Sequence, residues 1–136
     1  HLSTFGGNPV SCAAALANID FLANGVVDDA ARKGELLMAR FRELQKTQPL
    51  IGDVRGKGLM VGVELIADPA TKAYGTAQAG FVRQYCLDHG VLIGVGGNFG
   101  SVLRIQPPLV IDDAQLERVV ATVADGIEAS VQPAVA

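Results

Sequence analysis

Three short segments of this chain carry side chains able to do chemistry. The first is Ser3-Thr4-Phe5-Gly6-Gly7-Asn8-Pro9, in which two hydroxyls and two glycines lead into a helix-start signal. Hydroxyl donors beside the positive end of a helix suit an anion, phosphate above all, because the first amides of a helix lack intrahelical partners. Ser and Thr ahead of a Gly-Gly turn are also ordinary loop chemistry. The second segment is Val102-Leu103-Arg104-Ile105-Gln106-Pro107-Pro108. An arginine among apolar strand residues is expensive to bury unless an anion meets it. Its planar fork fits a carboxylate through two hydrogen bonds. A strand arginine paired with an acidic neighbour is the alternative. The third is Asp53-Val54-Arg55-Gly56-Lys57-Gly58, where basic residues between glycines could hold phosphate, although a solvated hairpin turn explains them equally well.

Other chemistry finds little support. Gly94 and Gly96 begin a dinucleotide-binding pattern, but Phe99 stands where its third glycine belongs, so a flexible loop is the reading there. Cys12 and Cys86 lie far apart without metal-ligand spacing and read as buried free thiols in a reducing cytoplasm. Two histidines, one of them His1, assemble no nucleophile–base pair and no metal site. The formal net charge is −3 and the basic residues are scattered, which speaks against nucleic acid or an anionic membrane as partner. The most apolar stretch, Val10 to Ala23, is broken by Asn18 and Asp20 and falls short of the roughly 20 residues of a membrane crossing. The start has no signal-peptide pattern and no initiator methionine, so the chain is expected to begin inside a longer polypeptide. Hydrophobic residues reach 49% against 18% charged, an apolar excess that predicts surface covered by another chain segment.

The elements that must position these residues follow from the pattern. Asn8-Pro9 opens a helix over about 9–23 that Asn24-Gly25 closes. A second helix over about 26–46 carries Ala30, Gly34, Leu37, Phe41 and Leu44 on one stripe. Two strands around an RGKG turn come next, with Val61, Val63 and Leu65 on the apolar face, then a surface loop, DPATKAYGT. A third helix, over about 77–89, is expected to turn Phe81, Tyr85 and Leu87 inward. Strands over 91–95 and 102–106 precede a final helix whose cap, Asp112, stands three residues before Gln115. Leu116, Val119, Val120, Val123 and Ile127 form its inner stripe. The class is α/β, with a small, mostly antiparallel sheet.

In order and spacing, STFGGNP with its alanine-rich helix, GDVRGKGLMVGVEL, and VLRIQPPL before a final amphipathic helix resemble the class III pyridoxal-phosphate-dependent aminotransferases along nearly the whole chain. The run GVLIGVGGNFGSVLRIQPPL looks nearest to the alanine–glyoxylate and ω-amino acid branch. The resemblance implies the C-terminal part of a fold type I enzyme. Residues 1–25 would be the loop and helix leading from a large cofactor domain, and 26–136 the small domain. It further implies a homodimer with shared active sites, pyridoxal 5′-phosphate as cofactor, and transfer of an amino group from an ω-amino acid or alanine-type donor to a 2-oxo acid. By position, Thr4 resembles the threonine that reaches across the dimer to the cofactor phosphate, with Ser3 beside it. Arg104 resembles the arginine that grips the substrate carboxylate. The family's Schiff-base lysine lies upstream of STFGGNP and is absent. Lys33 and Lys46 fall on a polar helix face, Lys57 in a turn and Lys72 in a loop. The segment is therefore expected to anchor phosphate and orient substrate within a longer transaminase, and to be inactive alone. The competing reading is a catalytically inactive binding or interaction module derived from that small domain.

Overall fold

A computed structural model of the chain describes residues 2–131. Helix α1 (Pro9–Phe21) starts where expected: the Asn8 side chain accepts from the amides of Val10 and Ser11, and Pro9 supplies a first position that needs no N–H. It ends in a kinked turn, Leu22–Val26, where Asn24 leaves the helical region and Gly25 takes φ +95°. No residue of α1 is buried, and it touches no other helix or strand beyond that turn. The stretch from Pro9 to Gln45 contains a window apolar enough in composition for a membrane span. The kink at Gly25 argues against one, since the 13 residues of α1 rise only about 20 Å against roughly 30 Å of hydrocarbon.

Helix α2 (Val27–Gln45) has Asp28 and Asp29 in its first turn and Arg42 in its last, in accord with the helix dipole. It buries Ala30, Gly34, Leu37, Met38 and Phe41 along the expected stripe. Lys33 corrects the expectation of a polar face: it is buried, with its ammonium held by the Asp29 carboxylate one turn earlier. Its long stem can lie in the core because the charge is met at the rim.

Strands β1 (Ile51–Lys57) and β2 (Met60–Asp68) form the hairpin. Lys57 pairs with Met60, so the turn is Gly58-Leu59, and Arg55 to Lys57 belong to the strand rather than to the turn. A Cβ on Gly34 would stand 2.1 Å from the Gly58 carbonyl oxygen, so α2 crosses the hairpin tip with the two backbones in contact. Within the segment expected to be loop, β3 (Ala73–Tyr74) adds to β2 through Ile66 and Tyr74. Helix α3 spans Thr76–Asp88, β4 Gly94–Gly96, β5 Val102–Ile105 and α4 Asp113–Ala129. The sheet order is β1-β2-β5-β4, antiparallel throughout.

One face of the sheet, with Val54, Val61, Val63, Leu65, Leu103 and Ile105, joins the helices in a single core. Helix α2 packs on β1 and β2, α3 on β2, β4 and β5, and α4 against α2 and α3. Asp112 makes the capping box with Gln115, and Leu116, Val120, Val123 and Ile127 are buried, with Val119 partly so. Helix α3 turns a different face inward from the one expected. Ala79, Val82 and Cys86 are buried, Tyr85 is half-buried, and Phe81 and Leu87 are exposed. Gly126 of α4 makes room for this face: a Cβ there would stand 3.1 Å from Tyr85 Cδ1 and 3.3 Å from Val82 Cγ1.

Candidate functional site

Arg104 sits on the open face of the sheet. Alternation along β5 turns Leu103 and Ile105 into the core and Arg104 away from it, so the dry surroundings expected for the guanidinium are not found. The row across the sheet reads Arg55, Gly62, Arg104, Gly94, with residues in register. Two arginines thus share one face, separated by a glycine. Their electrostatics differ. Arg55 Nη1 donates to Asp53 Oδ2 at 2.5 Å and to Glu64 Oε2 at 2.7 Å, and these carboxylates, Asp53 foremost, raise its pKa above the ordinary arginine value. Arg104 makes no ion pair among the described residues, and its Nη2 donates to the neutral Gln106 Oε1 at 3.0 Å. The strand arginine paired with acids is Arg55. Arg104 keeps a charge that an anion could meet.

Ser3 and Thr4 are exposed in the loop ahead of α1. The loop is shaped by an Asn8 amide donating to the Phe5 carbonyl at 3.3 Å, and by Gly6 lying so close to Ser3 that a Cβ there would stand 2.9 Å from Ser3 Cβ. The expectation of unpaired helix amides is corrected, because the Asn8 carboxamide takes those of Val10 and Ser11. What remains for a phosphate is a pair of neutral hydroxyl donors. They fit one side of such a group by type, and a dianion needs further donors or cations from elsewhere.

No hydrogen bond joins Ser3 or Thr4 to Arg104 among the described residues, and α1, which they lead into, contacts none of the elements around the sheet. Two surface grooves lie beside Arg104 rather than at it. One, of about 640 Å³, runs along Leu92, Gln106, Pro107, Pro108 and Arg118. The other, of about 370 Å³, runs along Val27, Lys57, Met60, Gln106 and Leu109. Gln106 lines both and also holds Arg104. Sequence reasoning passed over it, although its place two residues on from Arg104 puts it on the same strand face. Cys12 corrects another expectation: it is exposed on α1, while Cys86 is buried and burial pushes its thiol up to about 11. Among the described residues no group of three metal-ligating side chains gathers.

Comparison with known proteins is consistent with this layout. The family profile for class-III aminotransferases matches residues 1–127. The chain is 43% identical over 130 residues to an isoleucine 2-epimerase of Lentilactobacillus buchneri, a match covering 95% of this chain and 28% of that protein. It is 43% identical over 117 residues to a mitochondrial alanine–glyoxylate aminotransferase 2 homologue of Arabidopsis thaliana, covering 84% of this chain and 24% of the relative. The crystal structure of a Bacillus anthracis aminotransferase superposes with a TM-score of 0.85 at 36% identity, over 95% of this chain and 30% of the other. The chain thus spans 24–30% of the length of these proteins, and its helices and small antiparallel sheet match the corresponding part of an aminotransferase.

Proposed function

We propose that this chain, which belongs to the class III aminotransferase family, is the substrate-orienting and phosphate-anchoring end of a transaminase that moves an amino group from an ω-amino acid or alanine-type donor to a 2-oxo acid. The observation that carries the reading is Arg104: a guanidinium on the open sheet face, bonded to a neutral amide and lacking an ion-pair partner among the described residues. Such a group binds a donor's carboxylate with two charge-assisted bonds and turns the amino group in a set direction. Pyridoxal 5′-phosphate, when bound, would supply the electron sink for the amino-group chemistry. Ser3 and Thr4 would donate hydroxyl hydrogen bonds to its phosphate. None of the chain's four lysines stands in the family's cofactor-lysine context, so the chain alone is proposed to be inactive.

In this reading residues 1–25 are the loop and helix that lead from a large cofactor domain, and 26–136 are the small domain. The complete lack of burial along α1 supports that division. Large domain and second subunit of a homodimer together would cover α1 and complete the site. The free thiols Cys12 and Cys86 fit a cytoplasmic setting. A second reaction on the same site, epimerisation of a branched amino acid, is favoured by the 43% identity to the isoleucine 2-epimerase. Incubating the full-length enzyme with L-isoleucine and no 2-oxo acid separates the two, since an epimerase produces the other epimer and a transaminase stalls.

Arg104→Lys in the full-length enzyme tests the central claim. It keeps the charge and loses the fork. The kcat/KM for amino acid donors is expected to fall roughly ten- to a hundred-fold, the worth of a charged hydrogen bond, while donors without a carboxylate lose far less. An equal loss for both classes with the fold intact would reassign Arg104 to structure.

A further inference from the structure

Arg104 lies along a strip of sheet that has no side chains of its own. Its cross-strand neighbours are Gly62 and Gly94, and Gly96 comes up beneath its aliphatic stem. A Cβ on Gly96 would stand 2.6 Å from Arg104 Cδ, and one on Gly94 would stand 3.6 Å from Arg104 Cβ. Glycine at 96 is not demanded by the backbone. The left-handed positions of this loop are Gly97 and Gly100, at φ +82° and +64°, and Gly96 is not among them. What a side chain there would displace is the arginine stem itself. The loop carrying Gly96 is pinned from the far side: the rings of Tyr74 and Phe99 stack with centroids 3.8 Å apart, and Thr76 Oγ1 donates to the Phe99 carbonyl at 2.6 Å. At its outer end the guanidinium donates through Nη2 to Gln106 Oε1 at 3.0 Å.

We propose that Gly96 and Gln106 are positioning residues for Arg104. The glycine lets the stem lie flat on the sheet, and the amide holds the guanidinium by one edge, leaving the remaining donors to a carboxylate. This deepens the assignment of Arg104 to the substrate carboxylate and rests on it. The choice of amide matters because it accepts a hydrogen bond without neutralising the charge. Arg55, across Gly62 on the same face, shows the opposite arrangement, with two carboxylates on its guanidinium. A carboxylate at position 106 would hold Arg104 as Asp53 and Glu64 hold Arg55, and would compete with the substrate.

The full-length enzyme provides the test, with L-alanine and isopropylamine as donors and calorimetric binding of pyruvate alongside. Isopropylamine is alanine with a methyl group in place of the carboxylate, so the ratio of the two kcat/KM values reports the guanidinium alone. Gln106→Glu is expected to lower that ratio about tenfold, mainly through the KM of alanine, and to weaken pyruvate binding by a similar factor. Gln106→Met, which keeps length but loses the acceptor, should lower the ratio roughly threefold. Gly96→Ala, which pushes the stem off the sheet, should act in the same direction as Gln106→Glu. If Gly96→Ala does not fold, the two Gln106 variants decide the matter. Should Arg104→Lys lower the ratio while both Gln106 variants leave it and pyruvate binding within about twofold, the positioning role is overturned and the carboxylate assignment stands. A ratio unmoved by Arg104→Lys overturns the carboxylate assignment itself.

Discussion

Helices α1 and α4 are both rich in apolar residues, and the more apolar of the two is the one that buries nothing. In α4 the large apolar side chains recur at 116, 120, 123 and 127, and charged residues hold the opposite side, so one stripe faces α2 and α3 while the rest faces water. In α1, Val10, Leu16, Ile19 and Phe21 are spread among alanines on several sides, with Ser11, Asn18 and Asp20 between them, and all four apolar residues are exposed. A stripe can be closed by neighbours on one side. A helix with apolar residues on most sides needs cover on several of them, and the described residues do not supply it. The contrast teaches that arrangement rather than content decides which helix its own chain can complete. It also separates a body that packs itself from an arm that does not.

Core and arm should respond very differently to truncation. Phe41 is wholly buried between α2 and the sheet, and Phe41→Ala is expected to cost about 3–5 kcal/mol in the denaturant unfolding of the chain. Leu16→Ala on α1 should change the same measurement by less than about 0.5 kcal/mol. Comparable losses at the two positions would mean that α1 is part of the cooperative unit after all.

The two thiols sharpen the contrast. Cys12 on α1 is exposed, whereas Cys86 is buried with its thiol pushed up to about 11 by desolvation. A group whose pKa is raised in this way holds little thiolate at pH 8. Alkylation of the isolated chain at pH 8 should therefore modify Cys12 about a hundredfold faster than Cys86. In the full-length enzyme Cys12 should become protected as well, and a Cys12 that reacts equally fast there would show that α1 has no cover.

The arm also carries the hydroxyls proposed for the cofactor phosphate. Thr4→Ala in the full-length enzyme is expected to weaken cofactor retention roughly ten- to a hundred-fold, measured by dialysis and absorbance. In mixed dimers the defect should appear in the neighbouring subunit's site. Unchanged retention would return Thr4 to loop structure and leave the arm with packing as its sole task.

Local grammar was legible in the residues. Asn8-Pro9 and the Asp112–Gln115 box start their helices as expected, because a cap depends on side chains within three positions of the amides they meet. The alternation of Val61, Val63 and Leu65 placed the core face of β2 for the same reason: strand geometry sends alternate residues to one side whatever the partner. The class of fold and the family followed from such patterns taken in order. What the tertiary structure alone decided are questions of distance between remote segments. The inner face of α3 was set by its packing on α4 and the sheet, and β3 formed because Tyr74 pairs with Ile66 on β2. Arg55 and Arg104 are each a cation in a strand of the same sheet, on the same face. Only the pairing of β1 with β2 set Glu64 against Arg55, and only the pairing of β5 with β2 and β4 laid Arg104 over bare glycines. Sequence spacing fixes which face a residue takes. Which charge waits across the sheet depends on strand order, and strand order is settled by the packing of the whole core.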